Sequence, residues 1–168
     1  MKRKAFLCSV LPVIGSMSVI PGIVNAQDKT KPPGLNPDLV KDFVIAGHSN
    51  LGKVKQMLEE TPNLLYATWD WGGGDFETAL EGAGHVGDKA IANFLIEKGA
   101  RTNFFVLTML GKTEPVKAFI DAYSAFLEAR GPHGFTFLHH AQRGGDDAKE
   151  LLEYFQSKGL KETKFNLY

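Results

Sequence analysis

The sequence of 168 residues is poor in cysteine and carries no net charge. Its only cysteine is Cys8, so an intramolecular disulfide and a metal site built from several thiolates are both excluded. The 19 basic and 19 acidic side chains balance, which argues against a nucleic-acid-binding protein, because such proteins need a strongly basic surface. Beyond residue 26 the sequence has no apolar run long enough to span a bilayer.

The N-terminal segment has the three parts of an export signal. Basic residues at positions 2–4 precede an apolar run from Ala5 to Val24, and Val24-Asn25-Ala26 has the small residues of a cleavage site. We therefore expect residues 1–26 to be a cleaved signal peptide and the mature protein to be exported, periplasmic or secreted, without a membrane attachment. A retained membrane anchor is the alternative, since about 20 apolar residues can cross a bilayer.

Residues 27–37 contain three prolines and are predicted to form a linker. After this linker, one helical pattern occurs four times. Each unit has apolar residues at i, i+3 and i+4, which give a helix one apolar face. These apolar triples are Val54-Met57-Leu58, Ile91-Phe94-Leu95, Val116-Phe119-Ile120 and Leu151-Tyr154-Phe155.

A shorter helix with one large and one small inward residue precedes each triple, and glycines separate the two helices. The small residues are Ala46, Ala83, Thr108 and Ala141. The pattern predicts four helix-turn-helix units and a C-terminal tail, near residues 38–67, 75–103, 104–130, 133–160 and 161–168. One such unit cannot bury its own apolar face, so the units must stack on each other. The sequence therefore predicts an all-α solenoid.

Two of the units resemble ankyrin repeats. Residues 75–103 match one repeat without a gap, including the closing G-A-x-x-N, and residues 136–141 read T-F-L-H-H-A where the family has T-P-L-H-x-A. Glu81 replaces the motif histidine in the first of these units. The resemblance implies an ankyrin-repeat domain over residues 38–160, a non-enzymatic monomer that holds another protein through its concave face and hairpin fingers. It also implies that His139 makes hydrogen bonds between neighbouring units.

The fingers are predicted to be uneven. Against the usual repeat of about 33 residues, the junction at Trp69–Gly74 is longer and the junction after Asn103 is shorter. We expect one long finger beside a missing one, with a notch that exposes Phe104. Aromatic rings outside the helical stripes make this edge the predicted partner-binding surface, although the rings would alternatively fold back and cap the core. The residues of this surface are Trp69, Asp70, Trp71, Asp75, Phe76, Phe104, His133 and Phe135.

Three glycine-containing or acidic segments resemble ligand sites imperfectly. Residues 82–87 fit G-x-G-x-x-G, but no buried strand is predicted before them. Residues 47–54 resemble a phosphate-binding loop, but Val54 stands where a hydroxyl must hold magnesium. Residues 70–81 have the length of a calcium loop with too few oxygen ligands. The sequence predicts no catalytic residue and no cofactor. A small-molecule or nucleotide-binding enzyme that uses these turns, and a structural module of an envelope complex, are the alternative functions.

The histidines are predicted not to hold a metal. His139 and His140 are adjacent on a helix and point about 100° apart. His48 and His85 occupy equivalent turns of successive units, which places them on the order of 10 Å apart. A shared zinc needs bonds of roughly 2 Å, so neither pair is expected to bind one.

Overall fold

Helices make up most of the described chain. The structure is a computed structural model that describes residues 32–168, so the signal peptide predicted for residues 1–26 lies outside the described residues. The α-helices are α1 (Pro37–Gly47), α2 (Leu51–Glu60), α3 (Ala79–Val86), α4 (Lys89–Glu97), α5 (Phe104–Met109), α6 (Thr113–Ala122), α7 (Phe137–Gly144) and α8 (Lys149–Ser157). The prediction of a mainly helical fold is confirmed.

Local sequence signals set the ends of these helices. Asn50 and Asn103 accept hydrogen bonds from backbone N–H groups at the starts of α2 and α5, the usual role of an N-cap side chain. Thr78 and Glu81 form a reciprocal capping box at the start of α3. Gly87 ends α3 with φ 86°, a left-handed conformation that favours glycine.

The helices pack as pairs in chain order. α1 contacts α2, α3 contacts α4, α5 contacts α6 and α7 contacts α8, while the first helices of the pairs contact each other in the order α1, α3, α5, α7. The small residues of the sequence pattern lie at these contacts and are buried: Ala46, Ala83, Thr108 and Ala141. Small side chains at these positions let the axes of neighbouring first helices approach closely.

Two apolar clusters form the core. The first is mainly aliphatic and lies among α1 to α4, with contributions from Val106 and Met109 of α5. The second lies among α5 to α8 and is rich in phenylalanine. There the Phe105 and Phe137 rings stack with centroids 4.3 Å apart, and Phe137 stacks on Phe155 at 5.3 Å. No helix within residues 32–168 is both long enough and apolar enough to cross a membrane.

A short antiparallel hairpin lies where the sequence predicted the long finger. Its strands are β1 (Thr68–Asp70) and β2 (Phe76–Thr78), with Trp69 opposite Glu77. Gly72, Gly73 and Gly74 in its loop all have positive φ, which explains the glycine run. At the next junction α5 begins directly after Asn103, as the shortened spacing predicted.

Candidate metal centre

The hairpin directs one carboxylate into the protein. Successive residues of a strand point to opposite faces, and in β2 the side chain of Phe76 is 58% exposed whereas Glu77 is fully buried. Trp71, in the hairpin loop, donates its Nε1–H to Glu77 Oε2 at 2.8 Å. The strand alternation therefore places the Glu77 carboxylate at the base of the hairpin.

Three histidines from different parts of the chain surround this carboxylate. His48 caps the C-terminal end of α1, and His85 lies in the last turn of α3. His133 lies in a short 3-10 helix, Pro132–Gly134, that precedes α7. Because α1 packs on α3 and α3 contacts α7, the helix stack brings residues as far apart as 48 and 133 to one place.

The ligand-type atoms of these four side chains all lie within 4.8 Å of one another. His85 Nε2 is 2.8 Å from Glu77 Oε1 and 3.0 Å from His48 Nε2. His48 Nε2 is 3.5 Å from the same carboxylate oxygen, and His133 Nε2 is 3.5 Å from the second oxygen, Oε2. Three imidazole rings thus converge on one buried carboxylate.

Glu77 is held in its charged form, yet one of its oxygens lacks a hydrogen bond. Burial raises the pKa of the Glu77 carboxyl, but the contact with His85 and the charges of His48 and His85 outweigh burial and keep the pKa below its ordinary value. Oε1 accepts no hydrogen bond, because the 2.8 Å contact with His85 Nε2 does not have a hydrogen bond's direction. A buried carboxylate oxygen without a donor is costly, and a cation bound to Oε1 would remove that cost.

The hydrogen bonds of two rings fix where their lone pairs point. His48 Nδ1 lies 3.0 Å from the backbone carbonyl of Val44. A carbonyl can only accept, so Nδ1 carries a proton, and in the neutral form of the ring the lone pair is then on Nε2. His133 Nδ1 lies 2.6 Å from Asp75 Oδ2, which leaves its Nε2 in the same state. Both lone pairs lie close to the Glu77 carboxylate, where a cation would bind all of them.

The sequence-based expectation for His48 and His85 is wrong. Their Nε2 atoms are 3.0 Å apart and their ring centroids 4.8 Å apart, far closer than the predicted spacing on the order of 10 Å. The predicted spacing took no account of side-chain direction, and the side chains of His48 and His85 meet where α1 contacts α3. Gly82 makes room for this, since a methyl group on it would lie 2.9 Å from the His48 ring.

Three of the predicted partner-binding residues belong to this cluster. Trp71 and His133 contact Glu77, and Asp75 is buried against His133. Two more are half-buried: Trp69 packs on the first apolar cluster, and the Phe135 ring is stacked between His85 and His139. These aromatic rings fold back onto the hairpin base and the core, which is the alternative that the sequence left open.

The remaining predicted residues are exposed or half-buried and lie outside the cluster. Asp70 and Phe76 are exposed on the hairpin. Phe104 is half-buried and lines a solvent-open notch of about 260 Å³, with Phe76 and Phe126 among the other lining residues. The notch lies where the shortened junction removed a finger, as the sequence predicted.

The glycine-rich turns serve close packing. A methyl group at Gly84 would lie 3.0 Å from Val106, and Gly82 makes room for His48 in the same way. A strand, β2, does precede these glycines, and one of its residues, Glu77, is buried. However, β2 has three residues and pairs only with β1, so the described chain lacks the parallel sheet of a dinucleotide site.

The two acids that end the calcium-loop-length segment are already engaged. Asp70 Oδ1 accepts the Gly72 backbone N–H at 2.8 Å. The Glu81 carboxylate accepts hydrogen bonds from Thr78 at 2.8 Å and from Asn103 at 2.7 Å. Neither carboxylate lies in the histidine cluster.

No known protein family, curated protein or solved structure matches the chain. The resemblance to ankyrin repeats therefore rests on the quoted residues alone.

Proposed function

We propose that the protein binds one divalent transition-metal ion, of the zinc class, through His48, Glu77, His85 and His133. The observation that carries this proposal is the buried Glu77 Oε1, which has no hydrogen-bond donor and lies beside the Nε2 atoms of two histidines. Imidazole and carboxylate groups are ligands that zinc, nickel, iron and copper accept in proteins. The donor set thus favours these metals over magnesium or calcium, which prefer oxygen ligands alone.

The spacing of the four side chains supports a single small ion. A four-coordinate zinc with bonds of about 2.0–2.1 Å holds its ligand atoms about 3.3 Å apart. The nearest separations in the cluster run from 2.8 to 3.5 Å, and all of the ligand atoms lie within 4.8 Å of one another, so a bound ion would draw the widest pair closer together. The side chains of His48 and His133 are 25% and 24% exposed, so an ion has a route to the site from solvent.

Zinc titration of chelator-stripped protein tests this proposal. Calorimetry should show one zinc per chain, and zinc at 100 times its Kd should raise the free energy of unfolding by about 2.7 kcal/mol. Glu77→Gln removes both the ligand charge and the partner of three imidazoles. Mutation of a residue that only hydrogen-bonds to a metal ligand weakens metal binding by up to roughly 100-fold. Because Glu77 is itself a proposed ligand, we expect Glu77→Gln to weaken zinc binding by more than this.

Glu59→Gln is the matched control. It makes the same chemical change at an exposed position of α2, away from the cluster, and should leave zinc affinity and stoichiometry unchanged. A parent protein that takes up no stoichiometric zinc would overturn the proposal. So would a Glu77→Gln variant that binds zinc as tightly as the parent.

A second candidate function is the binding of another protein through the concave face and finger edge of an ankyrin-type stack. The notch beside the hairpin favours it, because the notch is open and its lining includes the rings of Phe76, Phe104 and Phe126. Buried aromatic contacts dominate interface energies, so the fitting partner is a protein segment that inserts an aromatic side chain. The predicted export signal would place this interaction outside the cytoplasm.

Peptide display tests this second function without a known partner. Peptides selected from a random library on the parent protein should carry an aromatic residue. They should lose about 2 kcal/mol or more of binding to Phe76→Ala, whose exposed ring contributes little to the fold. Tyr123→Ala replaces another exposed ring, 62% exposed, and should bind normally. Failure to select any peptide, or equal binding by Phe76→Ala, would contradict this function.

A further inference from the structure

His133 has an unusual backbone conformation for its residue type. Its φ is 59° and its ψ is 14°, and among residues 32–168 it is the sole non-glycine residue with positive φ. Side-chain-bearing residues rarely adopt this left-handed conformation, and they keep it only where surrounding contacts impose it. Something must therefore hold His133 in place.

Asp75 provides that restraint with both carboxylate oxygens. Its Oδ1 accepts the backbone N–H of His133 at 2.7 Å, and its Oδ2 accepts the His133 Nδ1–H at 2.6 Å. The first bond fixes the main chain and the second fixes the ring. Because both oxygens of Asp75 are engaged with His133, Asp75 is oriented to act through His133 and not as a metal ligand.

The hairpin also fixes Asp75. The backbone N–H of Asp75 donates to the carbonyl of Gly72 at 3.2 Å, and its carbonyl accepts the N–H of Trp71 at 2.9 Å. Two residues later the same segment supplies Glu77. One hairpin thus carries a carboxylate of the cluster and the group that orients a histidine from a distant part of the chain.

We infer that Asp75 is the positioning residue of the metal centre, holding His133 so that Nε2 carries the lone pair and faces the ion. This inference rests on the proposed metal binding. A histidine ligand commonly donates its other ring N–H to a carboxylate, which fixes the tautomer and makes the ligand nitrogen more basic. The Glu77 Oε2 to His133 Nε2 distance of 3.5 Å shows that the ring held by Asp75 already faces the cluster.

The variant Asp75→Asn tests the inference by reversing one hydrogen bond. Its side-chain oxygen can still accept the His133 backbone N–H, but its NH₂ group would donate to His133 Nδ1. The ring proton then moves to Nε2, the nitrogen that must bind the metal. We expect zinc affinity to fall by about 10- to 100-fold, with the circular dichroism spectrum unchanged.

A double-mutant cycle separates positioning from other roles. His133→Ala should weaken zinc binding strongly, and adding Asp75→Asn to it should change affinity by less than about threefold, because the two residues act through one contact. A further large loss in the double variant would mean that Asp75 acts independently of His133 and would overturn the inference. Asp75→Asn with parental zinc affinity would overturn it as well.

The tautomer of His133 gives a readout that does not depend on a variant folding. Nitrogen NMR of the metal-free parent protein should show the proton on Nδ1, and Asp75→Asn should shift it to Nε2. A parent with the proton on Nε2 would overturn the inference even where zinc binds. If the parent protein binds no zinc, the proposed function itself fails, which is a distinct outcome.

Discussion

The five histidines fall into two groups with opposite environments. His139 and His140, adjacent on α7, are each satisfied by a backbone carbonyl: His139 Nε2–H donates to His85 and His140 Nδ1–H donates to Thr136, both at 2.8 Å. Burial lowers the pKa of both rings, so both are neutral. In the other group, the rings of His48, His85 and His133 surround a charged carboxylate.

The difference shows that hydrogen-bond partners decide a histidine's role more than its place in the sequence. Each ring of the adjacent pair donates to a backbone carbonyl, His139 to α3 and His140 to the N-cap residue of its own helix. The dispersed group has nitrogen lone pairs beside a carboxylate oxygen that has no donor. Only in the dispersed group do the histidine nitrogens lie beside a buried carboxylate, so only there would a cation find an anionic ligand as well as imidazole ligands.

The largest expected difference between the two groups is in how the free energy of unfolding changes in acid, and it comes from His140. Burial lowers the pKa of this ring from 6.5 to about 3. Between these two pH values the unfolded chain binds a proton at His140 and the folded protein does not. The stabilising contribution is complete above pH 6.5 and is lost as the pH falls towards 3. The linkage predicts a loss of about 2 kcal/mol from His140 between pH 7 and pH 5.

Denaturant unfolding in a chelator, at several pH values, measures this loss. His140→Phe keeps a ring beside Phe105 and removes the titrating group, so its stability should depend less on pH than that of the parent, by about 2 kcal/mol over the same interval. Equal pH dependence of parent and variant would mean that His140 is not the buried neutral base described here.

The helices were predictable because their signals are local. Apolar spacing marked one face of each longer helix, and the small residues Ala83 and Ala141 marked the contacts between first helices. Asn103 is both the closing residue of an ankyrin-like motif and the N-cap of α5, so the missing finger was visible as well. The hairpin followed from the glycine run and the extra length at Trp69–Gly74.

The candidate metal centre was not predictable by the same reasoning, because it depends on the directions in which side chains from different units point. Repeat spacing placed His48 and His85 too far apart, since it ignored the space left by Gly82. The inward position of Glu77 follows from strand alternation, but only once the register of a three-residue strand is known. The sequence around His133 offered one further signal. Pro132 and Gly134 indicate a tight turn, and a histidine in a turn position that favours glycine is uncommon unless its side chain is needed there.

A smaller effect on the free energy of unfolding is expected from substitutions of His139, which test the structural role of the adjacent pair. Its side chain caps the last turn of α3 by donating to the carbonyl of His85, an orphan acceptor at a helix end. His139→Leu should lower the free energy of unfolding by about 1 kcal/mol, and His139→Gln, which keeps a donor, should lose less. Because the His139 ring does not reach the cluster around Glu77, zinc stoichiometry should stay at one per chain in both variants. Loss of zinc from His139→Gln at parental stability would place His139 among the metal ligands and remove the distinction between the two groups.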